Sequence, residues 1–172
     1  MQKISAIVVA GGSGARFGNG LPKQFARLGD RPVLAHTLGK FQSAAKVAEI
    51  VAVIPEGWQD HCRKEVVEPF KLSKVSRIVT GGPTRQESVA RGLAAVSSGT
   101  TTVLVHDGVR PLVSPQKIEA VCEALEHSPA CLLALPVQET LKESEGGTVR
   151  KTLERQGVYL AQTPQGFHKS LL

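Results

Sequence analysis

Short apolar runs alternate with helix-like segments along most of this chain. Residues 4–10 (ISAIVVA) lead straight into Gly11-Gly12, and residues 49–54 (EIVAVI) stop at Pro55. Residues 75–79 (VSRIV), 101–105 (TTVLV) and 131–137 (CLLALPV) are three further short runs of this kind. Runs this short and apolar read as strands, the first of them buried. Between them, residues 32–45, 58–67, 84–96 and 114–127 read as helices. Pro32 suits a first helical turn. Thr84-Arg85-Gln86-Glu87 has the spacing of a capping box, and Val89, Leu93 and Val96 then fall three to four apart on one helical face. Ser114-Pro115 pairs an N-cap with proline at the next position. Strands separated by helices imply βαβ units with right-handed crossovers. The expected fold is therefore α/β: a three-layer, Rossmann-like domain around a mostly parallel sheet.

The 172 residues suffice for one domain. Hydrophobic residues make up 41% and charged residues 21%, which excludes wholesale disorder. No stretch approaches the roughly 18 apolar residues of a membrane span. The N-terminal apolar run turns into a Gly-rich loop where a secretory signal would have a small-residue cleavage site, so a cytoplasmic location is expected. Cys62, Cys122 and Cys131 are scattered and form no C-x-x-C pair, which argues against a disulfide framework or a zinc site. Lys plus Arg outnumber Asp plus Glu by 21 to 15, a balance that suits an anionic ligand. There is no dense basic block and almost no aromatic stacking platform, so a nucleic-acid partner is not expected.

The pattern changes after residue 138. Residues 139–154 (ETLKESEGGTVRKTLE) are two partly polar runs flanking Glu145-Gly146-Gly147, a hairpin signal. They hold too few apolar residues to enter a core. The segment is either a solvated surface hairpin or an arm that packs on a second copy of the chain; the arm is the preferred reading. Residues 167–172 (FHKSLL) look like the start of a helix.

The chemistry concentrates in the loop after the first strand, AGGSGARFG at 10–18, followed by Leu21-Pro22-Lys23-Gln24. It is not a Walker A loop, because no Gly-Lys-Ser/Thr follows at the required offset. As a dinucleotide fingerprint it fails at Phe17, which stands where the third glycine belongs. Glycines let backbone N–H groups approach a polyphosphate closely. Arg16 and Lys23 would then supply positive charge where a transferring phosphoryl group gains negative charge. The alternative is a tight structural turn.

At these residues the chain resembles the cytidylyltransferases related to sugar nucleotidyltransferases, and within them the 2-C-methyl-D-erythritol 4-phosphate cytidylyltransferase family. Five motifs carry the resemblance in order: AGGSGARFG…LPKQ (10–24), GGPTRQESV (81–89), VHDGVRP (105–111), PVQETLK (136–142) and LERQGVYLAQTPQGF (153–167). The resemblance implies transfer of CMP from CTP to a polyol phosphate, with Arg16 and Lys23 as catalytic residues. It places Ala10, Gly11, Gly12, Gly14, Lys23, Gly82, Ser88 and Asp107 at the nucleotide. It places Asp107, Arg110, Thr140 and Arg155 at the polyol phosphate, the last two partly across a dimer interface, and Asp107 at a Mg²⁺ ion or another divalent cation. His106 is expected to be structural, and Thr163-Pro164-Gln165 to be a supporting turn. Glu139 stands where the family usually has Asp, and Gly108-Val109 where it often has two alanines.

Family members continue with a segment bearing an acidic motif and then a Lys-containing strand, both absent from residues 1–172. The chain is therefore expected to look cut short within its final turn. Two further readings stay open at this stage. One is a ribitol 5-phosphate cytidylyltransferase. The other is a non-catalytic CTP-binding dimer.

Overall fold

The computed structural model describes residues 3–12 and 20–172. The first strand, β1 (Ile4–Val9), is followed by a tight turn at Lys23–Phe25 and a two-residue ribbon, β2 (Arg27–Leu28) and β3 (Arg31–Pro32). Helix α1 (Val33–Ser43), β4 (Val47–Ile54) and the short helix α2 (Gln59–Cys62) come next. Then follow β5 (Val75–Thr80), α3 (Arg85–Ala95), β6 (Thr102–Asp107), α4 (Pro115–Ala124) and β7 (Ala130–Pro136). The chain closes with β8 (Leu141–Glu145), β9 (Thr148–Leu153) and β10 (Tyr159–His168).

Six of these strands form one sheet in the order β5-β4-β1-β6-β10-β7. β1 is parallel to β4 and β6, and β4 is parallel to β5, whereas β10 runs antiparallel to both β6 and β7. The expected mostly parallel α/β architecture is therefore present, with one reversed strand inserted near the edge.

Strand periodicity explains the three layers. Successive side chains point to opposite faces. Along β1, Ala6 and Val8 join the cluster that contains Leu34, Leu38 and Phe41 of α1 and Ile118 and Val121 of α4. Ile7, between them, joins Val51, Val53, Val103 and Val105 on the opposite face, against which Val89 and Leu93 of α3 pack. Leu34, Leu38 and Phe41 are fully buried, at helical spacing. Each such side chain stabilises the fold by about 1.5–3 kcal/mol.

Both expected N-caps are present. Glu87 N–H donates to Thr84 Oγ1 at 3.1 Å while Thr84 N–H donates to the Glu87 carboxylate at 3.3 Å, completing the capping box of α3. Ser114 accepts from Lys117 N–H at 3.3 Å. The segment read as one helix over 58–67 is irregular: after α2 the chain widens over Arg63–Val67, where Glu68 N–H reaches back to Arg63 O.

Two sequence expectations near the C-terminus are corrected. Thr163-Pro164-Gln165 is not a turn but lies within β10, and Phe167 and His168 finish that strand rather than opening a helix. Only a single 3-10 turn, Lys169–Leu171, follows. Proline removes a ladder donor and is rare in central strands. β10 accommodates Pro164 because its register with β7 slips between Ala161 and Gln165, leaving 162–164 outside that ladder. Gly166 is equally constrained, since a methyl group there would stand 2.5 Å from Leu125 Cδ1 of the segment after α4.

β8 and β9 pair only with each other. Gly146 and Gly147 join them with φ of 56° and 80°, the positive values a tight two-residue hairpin turn demands. Every residue of β9 is exposed. This is the projecting hairpin the composition predicted.

Candidate active site

The C-terminal ends of parallel strands are where α/β sheets bind ligands. Here the ends of β1, β4, β5 and β6 meet at one edge. Ala10 N–H donates to Val53 O and Gly81 N–H to Ile54 O, both at 2.7 Å, so the loops after β1 and β5 fold together over the end of β4. Ser88 of α3 fills the gap between them: its Oγ accepts from Gly82 N–H at 3.0 Å. These elements wall a cleft of about 700 Å³. Ala10, Gly11, Gly12 and Lys23 line one side of it, and Gly82, Ser88, Asp107 and Arg110 the other. All eight were expected on the nucleotide or substrate from the sequence. Arg16 and Gly14, also expected there, lie outside the described residues.

Lys23 is held by its neighbours. Gln24 is 1% exposed, and its Nε2 donates to Ala10 O at 2.6 Å and to Gly12 O at 3.2 Å, tying the far end of the Gly-rich loop to its start. Phe25 stacks on Trp58 at 5.2 Å and meets the edge of His61 at 4.8 Å. The residues that follow Lys23 are thus held on both the loop and the aromatic cluster.

The loop after β6 is fixed as firmly. Gly108 N–H donates to Val9 O at 2.8 Å, and Thr37 Oγ1 donates to Gly108 O at 2.8 Å. His106 is fully buried, with its Nε2 3.2 Å from Arg110 O and its ring 5.0 Å from that of Phe41. Burial pushes its pKa down to about 4, more than its contacts with the Arg110 and Thr163 backbone and Asp107 raise it. The ring is neutral at physiological pH and serves as a brace for the loop.

That brace presents Asp107 and Arg110 to the cleft. Arg110 Nε donates to Asp107 Oδ2 at 2.9 Å, and Arg85 Nε donates to Asp107 Oδ1 at 3.1 Å. Arg110 also lines a second cleft of about 510 Å³, which continues past it between Gln162, Thr163, Lys117 and Leu133. Arg110 therefore stands at the junction of two cavities.

Thr140 and Arg155 are not brought to either cleft within this chain. Both are exposed at the root of the β8–β9 arm, where Arg155 Nη1 donates to Gln138 O. Two residues of the site carried no role in the sequence: Arg85 and Gln24. Gln24 stood in the LPKQ motif beside Lys23, but only the folded loop shows its two carbonyl acceptors.

A Gly-rich turn, a presented lysine and a capped helix N-terminus around one cleft at the carboxyl edge of a mostly parallel sheet define an α/β nucleotidyltransferase domain. The chain belongs to the 2-C-methyl-D-erythritol 4-phosphate cytidylyltransferase (IspD) family, whose model matches residues 4–172. The enzyme of that name from Syntrophus aciditrophicus is 40% identical over 171 residues, covering 99% of this chain and 73% of its own length. The one from Pelotomaculum thermopropionicum is also 40% identical, over 100% of this chain and 73% of its own. Among solved structures, 4-diphosphocytidyl-2C-methyl-D-erythritol synthase from Anaerococcus prevotii superimposes with a TM-score of 0.83 at 33% identity, covering 99% of this chain and 71% of that one.

Proposed function

We propose that this protein transfers CMP from CTP to 2-C-methyl-D-erythritol 4-phosphate, releasing pyrophosphate, as a step of non-mevalonate isoprenoid biosynthesis. The observation that carries the proposal is the meeting of Gly11, Gly12, Lys23, Gly82, Ser88, Asp107 and Arg110 around one cleft in a chain of this family. The base and ribose side of CTP belongs against Gly82 and Ser88, and its phosphates against Gly11, Gly12 and Lys23. The acceptor phosphate belongs at Arg110, whose planar guanidinium suits a phosphate dianion, where the two cavities join.

In the reaction a phosphate oxygen of the acceptor forms a bond to the α-phosphorus of CTP while the bond from that phosphorus to the pyrophosphate oxygen breaks. The nucleophile is already an anion, so no general base is needed, in keeping with the neutral, buried His106. Lys23, together with Arg16, stabilises the negative charge that builds on the α-phosphate and the leaving pyrophosphate.

A divalent cation such as Mg²⁺ fits this reading. That ion is usually held by one or two carboxylates plus the phosphates of the nucleotide, and Asp107 supplies one carboxylate in the cleft, each oxygen of which accepts from one arginine and keeps a second lone pair. It would supply charge neutralisation on the triphosphate. No group of three or more acidic, His or Cys side chains exists elsewhere among the described residues to hold a metal by protein ligands alone.

The working unit in this reading is a homodimer in which the arm of one copy carries Thr140 and Arg155 to the acceptor of the other. Support comes from the exposure of Val149 (57%), Tyr159 (60%) and Leu160 (48%) along and beside the arm. A cytoplasmic location belongs to the same reading, since both substrates are small charged metabolites. Among the described residues no helix is long and apolar enough to cross a membrane.

The test is a pyrophosphate-release assay with CTP and Mg²⁺, run with methylerythritol phosphate and with ribitol 5-phosphate. Release only with the former is expected. Release only with ribitol 5-phosphate would reassign the acceptor, and CTP binding without release from either would leave a nucleotide-binding protein.

A further inference from the structure

Asp107, Arg85, Gln165, Gln162 and Arg110 close a ring. Arg85 Nε donates to Asp107 Oδ1 at 3.1 Å and its Nη2 to Gln165 Oε1 at 3.4 Å. Arg110 Nε donates to Asp107 Oδ2 at 2.9 Å and its Nη1 to Gln162 Oε1 at 2.7 Å. Each arginine thus divides its donors between one oxygen of the same carboxylate and one glutamine of β10. Gln162 begins the stretch of β10 that leaves the β7 ladder and Gln165 is where the ladder resumes, so their side chains tie that stretch to the site, beside the bond from Asp107 N–H to Thr163 Oγ1 at 3.4 Å.

We infer that Arg85 is a positioning residue for the acceptor half of the reaction, acting through Asp107. The inference rests on the function proposed above. With Arg85 on Oδ1 and Arg110 on Oδ2, the plane of the Asp107 carboxylate is set, and Asp107 in turn sets the guanidinium of Arg110 at the junction of the two cavities. Removing Arg85 frees Oδ1, lets the carboxylate rotate and leaves Arg110 held on one side by a mobile partner. A phosphate dianion then meets an arginine that must be ordered on binding, which costs affinity. Arg85 is suited to this task by its place in the fold. It opens α3 directly after the capping residue Thr84, and three residues later the same helix carries Ser88 of the nucleotide wall. A lysine at 85 would keep the charge but not the planar fork that reaches Asp107 and Gln165 together.

The experiment compares wild type, Arg85→Ala, Arg85→Lys, Gln165→Ala and the double variant Arg85→Ala/Gln165→Ala. Steady-state kinetics are measured with CTP and methylerythritol phosphate varied separately, alongside hydrogen exchange of the backbone at 107–111 and 162–165. Arg85→Ala should raise the acceptor KM roughly ten-fold or more and the CTP KM by clearly less, because a charge-assisted partner of Asp107 is lost while the carboxylate itself stays in the cleft. Arg85→Lys should fall near Arg85→Ala. The double variant should be no worse than Arg85→Ala, because both changes cut the same link. An acceptor KM and kcat within about two-fold of wild type in Arg85→Ala, or a rise confined to the CTP KM, would overturn the assignment. If wild type does not use this acceptor, the functional reading fails by itself, and hydrogen exchange still decides the ring. Faster exchange at 107–111 and 162–165 in Arg85→Ala supports the positioning role, and unchanged exchange there refutes it.

Discussion

Gly11 and Gly81 face each other across the end of β4: a methyl group on Gly81 would stand 3.1 Å from Gly11 Cα and 2.9 Å from Ser88 Oγ. Neither backbone atom can yield easily, because Gly81 N–H is already bonded to Ile54 O at 2.7 Å. Two glycine backbones therefore pass close together beside the cleft that Gly11 and Gly82 line. Gly81→Ala should push the two loops apart, destabilise the fold by about 1–3 kcal/mol as overpacking does, and raise the CTP KM. Thermal melting and CTP calorimetry measure the two effects; a variant with wild-type melting and CTP affinity would show that the loops part freely.

Gln24 closes the Gly-rich loop from the other side. Gln24→Ala leaves Gly12 O without this donor and Ala10 O without it in a buried place. Losing a buried hydrogen-bond partner costs about 1–3 kcal/mol, so the melting temperature should fall by several degrees. Turnover should fall too, because the Lys23 turn loses its tie to the loop. Gln24→Glu should be worse than Gln24→Ala, since a carboxylate would face the same two carbonyl oxygens.

Lys23 lines the cleft in the company of Gly11 and Gly12. Lys23→Ala should lower kcat by roughly 10²–10³, the usual cost of one preorganised group that stabilises transition-state charge, with a smaller change in CTP affinity. The same holds for Arg16→Ala. Single-turnover measurements at saturating CTP separate the two effects, and near-normal turnover in either variant would remove that residue from the chemistry.

Glu49 governs acid stability at the opposite end of the strands. It is 8% exposed and accepts from Ser5 Oγ at 2.8 Å, Ser76 Oγ at 2.7 Å, Ser97 Oγ at 2.9 Å and Ser97 N–H at 3.0 Å. Burial alone would raise its pKa, but these donors together outweigh burial and bring it down to about 2. A folded-state pKa below the unfolded value gives stability that is complete above the unfolded pKa and is lost as pH falls through the folded one. The carboxylate should thus contribute about 3 kcal/mol at neutral pH, lost between roughly pH 4.5 and pH 2. Urea unfolding across that range should show a shallower pH dependence for Glu49→Gln than for wild type.

The arm is held mainly by its own pairs. Lys151 meets Glu143 at 3.2 Å, Lys142 Nζ donates to Thr152 Oγ1 at 2.7 Å, and Arg150 pairs with Glu145. A lone two-stranded hairpin is marginal in water, and exposed ion pairs add little, so a second copy is the expected support. Deleting residues 143–148 should shift sedimentation toward monomer and weaken use of the acceptor, because Thr140 and Arg155 lose their frame. An unchanged oligomeric state would return the segment to a surface hairpin.

Local signals in this chain were strong where one stretch of residues decides its own structure. Short apolar runs marked five of the six sheet strands, the Thr84 and Ser114 caps started α3 and α4, and Gly146-Gly147 placed the hairpin turn. The sixth strand, β10, escaped because Pro164 and Gly166 break strand propensity locally; they are tolerated only through the slipped β7 register and the close approach of α4. Phosphate chemistry pointed to Lys23, and the family resemblance carried by the motifs named Gly82, Ser88, Asp107 and Arg110. Their convergence on one cleft, the sharing of the Asp107 carboxylate between Arg85 and Arg110, and the burial that keeps His106 neutral were decided by tertiary structure. Arg85 and Asp107 are 22 positions apart and Arg85 and Gln165 are 80 apart. Contacts of that range depend on the order in which the strands assemble, which no local periodicity encodes.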